Sequence, residues 1–475
     1  MYVHEGIVKD TLINNDIPFK SKSHNEPIPN ARSDKYGSKS GDDFLHNVLS
    51  FLSIGLGDSE QVLVDSFLHY LNLNDDLHVV TIADTFTSIM GRNDCTSLEH
   101  LNNYFEKQST NTNYFVFNFQ KLENISNTQY YKYCNRVFVF ISEHAVNIDV
   151  DELCKSINQE ESNIHFVICH SDSCAKPNDT LYIFNNKLPQ HFSHVQNNEN
   201  DFARLYRLIK GNSITLVLGG GGCKGLAHFG ILKALEEYTI PIDAVCGTSI
   251  GAIVAYLWAI HRTSAGAIDR ARHFFMDNPT PWWDLNVIPR KSLYGGKKID
   301  AIFKSQIQNH QIEDLWLPFF CNSSNLTKLE LMIHDQGSSL TALRASLAIP
   351  GIFPPVLHED KVLVDGGVFN NLPVDIVSNK RKGKIIASRV DMPSSSIVNN
   401  KIPNIFSTLY QSSTANVDMN TEKNRGLIDL YFEPRVSKYG MMQWMAIDEI
   451  IQIGYEYACQ KLSRQEDISI LFGKI

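Results

Sequence analysis

The sequence predicts an α/β protein made of two successive α/β regions behind an N-terminal stretch with little to bury. Three observations carry this. Short apolar runs at 79–83, 114–117, 137–141, 164–169 and 181–184 alternate with polar or amphipathic segments, the rhythm of a largely parallel sheet with helices between its strands. A second such rhythm begins at Ile214-Thr215-Leu216-Val217-Leu218, a β-branched run suited to a strand buried on both faces. The length of 475 residues favours two or three domains. The expected divisions are residues 1–43, 44–210 and 211–475.

From Lys20 to Asp43 the only clearly apolar residues are Ile28, Ala31 and Tyr36, so ordering this stretch would cost more entropy than burial returns. It is expected to be flexible. Asp58-Ser59-Glu60-Gln61 reads as a helix start, with Val62, Leu63, Phe67, Leu68 and Leu71 following at helical spacing. In the first α/β region Asp84, His170 and Asp172 fall near strand ends, where such sheets bind ligands, but surface loops explain them more simply. No catalytic constellation stands there, and a regulatory or docking role for residues 44–200 follows from position alone. The segment 201–209 reads as a helix leading into the second region.

Composition excludes some functions. Apolar residues make up 43% and charged residues 20%, and 43 Lys and Arg against 52 Asp and Glu leave a net charge of −9, which argues against a nucleic-acid binder. Nine cysteines without a CxxC pair suggest reduced thiols of a cytosolic compartment. No apolar core follows a basic start at the N-terminus, so no secretory signal is expected. The longest uncharged apolar run, 244–260, is short of about 20 residues and contains Gly247, Ser249 and Gly251; it reads as a buried strand and helix. Peripheral contact with a membrane surface stays compatible with all of this.

The chemistry begins where the strand 214–218 opens into Gly219-Gly220-Gly221-Gly222-Cys223-Lys224-Gly225, followed by a helix with Leu226, Ile231, Leu232 and Leu235 on one face. Bare backbone at a strand-to-helix turn aims N–H groups at a ligand, and the helix N-terminus adds partial positive charge, so the loop suits an anion. Gly220, Gly222 and Gly225 satisfy GxGxxG, which keeps a dinucleotide site open, although Asp243 opens the next strand where the acid should close it. A phosphate-binding P-loop fails, because Gly225 follows Lys224 where Ser or Thr is required.

Cys246 then leads into Gly247-Thr248-Ser249-Ile250-Gly251, a GxSxG between a strand and an apolar helix. Small residues on both sides of Ser249 are what a tight turn needs to expose a nucleophilic hydroxyl. A nucleophile needs a base. The 117 residues after His358 contain no histidine, so the order Ser, acid, His cannot be built with Asp365. His334 and His358 stand without other active-site signals. Asp365 ends the β-branched run Lys361-Val362-Leu363-Val364 and precedes Gly366 and Gly367, the strand-end position where active sites form. A carboxylate there can take the serine proton directly.

Together these elements resemble the patatin-like phospholipase family over residues 214 to about 378. The resemblance rests on the glycine loop through Gly225, on Gly247 to Gly251, on Asp365-Gly366-Gly367, and on Arg344-Ala345-Ser346-Leu347-Ala348-Ile349-Pro350. Trp283-Asp284-Leu285, the run Ile312 to Pro318 and Asn370-Asn371-Leu372-Pro373 are similar to its neuropathy target esterase branch. The membrane anchor and cyclic-nucleotide-binding domains of that branch have no counterpart in this sequence and are not expected to carry over. The resemblance implies a three-layer α/β/α hydrolase domain preceded by a smaller α/β domain. It implies a Ser249–Asp365 dyad, an oxyanion hole from the backbone of Gly220, Gly221 and Gly222, and a phospholipid or lysophospholipid substrate cleaved at its carboxylic ester. Lys224, beside Gly225, would steady the loop or meet a phosphate headgroup. Trp282, Trp283, Trp316, Phe319, Phe320 and Phe353 offer aromatic surface for acyl chains or a membrane, and Arg290, Lys291, Lys297, Lys298 and Lys380-Arg381-Lys382 offer basic groups for headgroups. No cofactor, metal or nucleic acid is called for. The competing reading is a non-catalytic nucleotide- or acyl-CoA-binding protein that uses the glycine loop.

Overall fold

A strand with apolar residues on both faces must be covered on both faces, and this requirement builds two sheets. The computed structural model describes residues 47–73, 77–81, 114–119, 134–307, 310–391 and 422–464, with isolated positions between 405 and 412 and at 470–471. The flexible segment expected over 1–43, and Asp84, lie outside the described residues. The first sheet contains β1 (Asn47–Ile54), β2 (Leu77–Thr81), β3 (Tyr114–Phe119), β4 (Arg136–Ser142), β5 (Ile164–Cys169) and β6 (Phe192–Val195) in the order β2-β3-β1-β4-β5-β6. Every pairing is parallel. Val137, Val139 and Ile141 of β4 pack to one side with the helix Val150–Ile157. Phe138 and Phe140 pack to the other, with Phe67 and Phe202 of the helices Asp58–Asn72 and Glu199–Lys210.

The second sheet contains β7 (Ile214–Leu218), β8 (Ala244–Gly247), β9 (Phe319–Asn325), β10 (Glu330–His334), β11 (Val356–His358), β12 (Lys361–Asp365), β13 (Lys384–Ser388) and β14 (Leu430–Phe432). Its order is β11-β12-β9-β8-β7-β13-β14, with β10 added on β9. The run from β9 through β8, β7 and β13 to β14 is parallel; β10, β11 and β12 join antiparallel. Leu216, Leu218, Val245 and Ile386 face the helices Ala227–Glu237, Ile250–His261, Ser264–Phe275 and Ile447–Leu462. Val217, Cys246, Ile385 and Ala387 face the helix Val374–Lys380. The result is three layers, α/β/α, as expected. The helix Ile250–His261 is apolar all round and buried from Ile250 to Ala259. Among the described residues no helix is long and apolar enough to cross a membrane.

Three expectations need correction. The run 181–184, read as a strand, lies in one helical turn, Thr180–Ile183, between Asp179 and Asn185 at positive φ; four apolar residues are too few for periodicity to decide. Strands β1 and β6 lie outside the apolar runs expected to form the first sheet. In β6 the polar Ser193 and His194 break the apolar pattern, and their burial rests on hydrogen bonds to His165 and His170. His170 itself is only 3% exposed rather than part of a surface loop, whereas Asp172 is exposed.

Candidate active site

The glycine run continues β7 beyond the sheet's C-terminal edge. Gly219 N–H donates to Ser388 O at 2.9 Å, and Gly219 O lies 2.9 Å from His228 Nε2. Because a carbonyl only accepts, Nε2 carries the hydrogen and Nδ1 accepts from Ser388 Oγ at 2.9 Å. Burial holds this imidazole down at about 4, so it stays neutral and serves as a brace behind the loop. Asn371 clamps the next residue from both sides: its carbonyl accepts from Gly220 N–H at 3.3 Å, and its Nδ2 donates to Gly220 O at 3.3 Å and to Asp391 Oδ2 at 3.0 Å. Gly222 has φ +60°, and a Cβ there would stand 2.7 Å from Met441 O. Of the three glycines expected to stabilise an oxyanion, Gly220 already uses its N–H on Asn371. Gly221 and Gly222 donate to no acceptor among the described residues.

Ser249 stands between β8 and the helix Ile250–His261 with φ 55° and ψ −126°, a region that L-residues seldom occupy. Such a conformation costs about 1–3 kcal/mol and persists only where its surroundings enforce it. Here Ser249 N–H donates to Ser346 Oγ at 2.9 Å, Thr248 N–H to Leu218 O at 3.0 Å, and Thr248 Oγ1 to Asn322 Oδ1 at 2.6 Å. Gly247 and Gly251 are required by close approach, since a Cβ on either would collide with backbone of Gly251 or Leu218. A Cβ on Gly220 would lie 3.1 Å from Ser249 Cβ, which puts the glycine loop directly against the serine.

Asp365 closes β12, which the register Asp365↔Ser323 sets beside β9. Its N–H donates to Ala348 O at 2.9 Å and its Oδ1 accepts from Gly367 N–H at 2.7 Å. Oδ2 is buried without a partner of good hydrogen-bond geometry, and the Ser249 hydroxyl is the side chain that acts on this carboxyl. Burial, opposed by that hydroxyl and by Gly367 N–H, pushes the carboxyl up to about 7. The two side chains are 2% and 3% exposed. Ser249 and Gly222 line a pocket whose other walls are apolar, among them Ile253, Phe274, Phe275, Leu347 and Phe353.

The remaining expected residues fall elsewhere. His334 Nε2 is 2.8 Å from Ser323 Oγ, and His358 stands by Glu359; among the described residues no histidine bonds Ser249. Asp243 accepts from Arg207 and from Ile214 N–H at the opposite edge of the sheet, away from the glycine loop, which leaves a dinucleotide ribose without its acid. Lys224 is half-buried, its pKa lowered by burial and supported by the charge of Asp391. Trp316, Phe319 and Phe353 are buried, while Trp282 and Trp283 are exposed. Sequence reasoning assigned no role to Ser346, Asn371, His228 or Asp391. The first two lay inside motifs already singled out, and Asp391 follows β13 as Asp365 ends β12, an acid at a strand's C-terminal edge.

Comparison with known proteins bears out the family resemblance. Residues 216–378 match the family model described as patatin-like phospholipase. The chain is 32% identical over 321 residues to lysophospholipase NTE1 of Debaryomyces hansenii, covering 60% of this chain and 20% of that one. It is 39% identical over 201 residues to human patatin-like phospholipase domain-containing protein 6, covering 41% and 14%. The chain thus spans about a fifth or less of the length of these relatives. The crystal structure of VipD from Legionella pneumophila aligns over 53% of this chain and 66% of that chain, with a TM-score of 0.32 and 16% identity.

Proposed function

We propose that the patatin-like phospholipase domain at residues 216–378 makes this protein a serine acyl hydrolase that cleaves carboxylic esters of phospholipids or lysophospholipids. The observation that carries the reading is the pairing of a hydroxyl held in a strained turn with a buried carboxyl whose pKa of about 7 suits proton transfer at neutral pH. Ser249 Oγ attacks the ester carbonyl while Asp365 takes its proton. The developing oxyanion accepts from the N–H groups of Gly221 and Gly222, each donor contributing about 2.7–4 kcal/mol in the transition state. The N-terminus of the helix Ile250–His261 adds positive potential at the same point. Protonated Asp365 then returns the proton to the leaving alcohol. Water, deprotonated by Asp365, cleaves the acyl-enzyme in the second half of the cycle.

The apolar walls beyond Ser249 suit the acyl chain, and Lys224 suits the phosphate of the headgroup. Pro279, on the cavity wall, leads into Trp282, Trp283, Leu285, Val287 and Ile288, all exposed, with Trp282 at 82% and Val287 at 99%. Arg290, Lys291 and Lys297 follow on the exposed surface. Aromatic and aliphatic groups flanked by cations fit a peripheral contact with a lipid surface beside the active-site entrance. Fluorophosphonate labelling tests the nucleophile: the probe should attach to the wild type and not to Ser249→Ala. Retained labelling in that variant would reject the assignment. Mass spectrometry of fatty acids released from phosphatidylcholine and lysophosphatidylcholine distinguishes the two substrates.

A further inference from the structure

At the C-terminal edge of the first sheet, a buried polar chain has more acceptors than its neutral members can satisfy. Glu143 follows β4, His170 follows β5 and His194 lies in β6. Glu143 Oε2 is 2.8 Å from His170 Nδ1, His170 Nε2 is 2.9 Å from His194 Nδ1, and His194 Nε2 is 2.8 Å from the backbone oxygen of Glu313. Both ends of this chain, a carboxylate and a carbonyl, can only accept. Three contacts need three hydrogens, and two neutral imidazoles bring two, whichever tautomers they adopt. One positive charge is missing at one end.

The missing charge belongs at His170 Nδ1. Glu313 O is satisfied once His194 Nε2 carries its hydrogen; His194 Nδ1 then accepts from His170 Nε2, which leaves the Nδ1 lone pair of His170 facing Glu143. A third donor converges on this point. Cys174 Sγ lies 3.5 Å from His170 Nδ1, and the donor atoms of Glu143, His170 and Cys174 all fall within 4.8 Å of one another. Tetrahedral zinc, with bonds of about 2.0–2.1 Å to nitrogen, 2.0–2.2 Å to oxygen and 2.3 Å to sulfur, sets N···S near ~3.5 Å and N···O near ~3.4 Å. The sulfur is already at that spacing, and the carboxylate has to withdraw by about half an ångström. We propose that Glu143, His170 and Cys174 hold a divalent cation of the zinc class, oriented by His194 and the Glu313 carbonyl.

The surroundings agree with this. Glu143 Oε1 accepts from Ser171 N–H at 2.8 Å, which fixes the carboxylate with its other oxygen toward His170. The His170–His194–Glu313 relay is the outer support a metal-bound imidazole needs to fix its tautomer. Thiolate, imidazole and carboxylate together select a borderline cation over calcium or magnesium. A dication with Cys174 thiolate and Glu143 carboxylate is locally neutral, and the nearby Asp201, Arg204 and Arg262 are already joined to one another. Glu143 and Cys174 are half-buried, which leaves an ion a way in. Loading releases the proton of the Cys174 thiol, which otherwise lies 3.1 Å from Lys176 O. Because Glu313 belongs to the segment that enters β9, the bound ion would tie the first sheet to the second.

Titrating the chelator-treated full chain with Co²⁺ tests the site. One equivalent should bind with a thiolate-to-cobalt charge-transfer band and ligand-field absorption of tetrahedral strength, and Zn²⁺ should displace it. Cys174→Ser should lose the charge-transfer band, and both it and Glu143→Gln should bind at least about tenfold more weakly. Fluorophosphonate labelling at the wild-type rate verifies that each variant is folded. Failure of the wild type to retain one equivalent, or a thiolate band unchanged in Cys174→Ser, overturns the proposal and leaves an extra proton on His170 as the missing charge.

Discussion

Replacing Asp365 by Asn should abolish turnover while making the fold more stable, and the gain in stability should depend on pH. The unfolded carboxyl titrates at an ordinary 3.8 and the folded one at about 7. Between these values the folded chain holds a proton that the unfolded chain has lost, so wild-type stability falls as pH rises. Below about pH 4 both states are protonated and the site costs nothing; above about 7 both are ionised and the cost levels off. The interval of about three pH units, at 1.36 kcal/mol each, comes to about 4 kcal/mol. Asn has no titration. It keeps the acceptor for Gly367 N–H, and its amide can donate to Ser249 Oγ from the place of the unpartnered Oδ2. Denaturant unfolding of both proteins at pH 5, 6, 7 and 8 should therefore show the variant pulling ahead by up to about 4 kcal/mol, most steeply between pH 5 and 7. A difference that stays flat, or a wild type more stable than the variant at pH 8, would refute the reasoning by showing that the charged carboxylate has a partner. The same pKa predicts that wild-type kcat/KM rises with pH through about 7.

Three further outcomes follow from the site. Gly222→Ala should lower kcat by about a hundredfold or more with little change in KM, because the new Cβ meets Met441 O and misaligns an oxyanion donor; steady-state kinetics on a soluble ester reads this. Ser346→Ala removes the acceptor of Ser249 N–H, so it should cost about 1–3 kcal/mol in unfolding free energy and slow fluorophosphonate labelling. Trp282→Ser combined with Val287→Ser should weaken sedimentation with phospholipid vesicles while leaving hydrolysis of a soluble ester within about twofold, since neither side chain lines the cavity.

The residues legible in the sequence share a property: each is demanded by local backbone geometry. The glycine loop, the turn around Ser249 and the acid at the end of β12 are positions where a strand meets a turn, and such positions restrict residue type without reference to distant contacts. What stayed illegible acts across the fold. Asn371 reaches back 151 positions to Gly220, and Ser346 lies 97 positions from Ser249. That Gly220 is not a free donor could not be read from the loop, because the Asn371 carbonyl that engages it arrives from another element. Strand β6 was hidden for a related reason: the partners that make Ser193 and His194 tolerable inside the protein lie on β5 and just beyond it.

Two buried acids at the same sheet edge show why Asp365, and not Asp391, suits the base. Burial raises both. Asp391 is engaged on both oxygens: Arg389 Nε donates to Oδ1 at 2.9 Å and Asn371 Nδ2 to Oδ2 at 3.0 Å. A proton arriving there would have to displace a guanidinium contact and an amide that also holds Gly220. Asp365 has Oδ1 engaged by Gly367 and Oδ2 buried without a partner among the described residues, so in the proposed mechanism a proton arriving on Oδ2 displaces no existing bond. In a Ser–His–Asp site the imidazole supplies a pKa near neutrality on its own and the acid stays ionised beside it. Among the described residues no histidine bonds Ser249 to do that, and burial moves the carboxyl itself up toward the neutral range. The same burial makes the carboxylate costly to the fold, and that is why the catalytic loss and the stability gain predicted for Asp365→Asn should appear together: both measure how completely this carboxyl has been taken out of water.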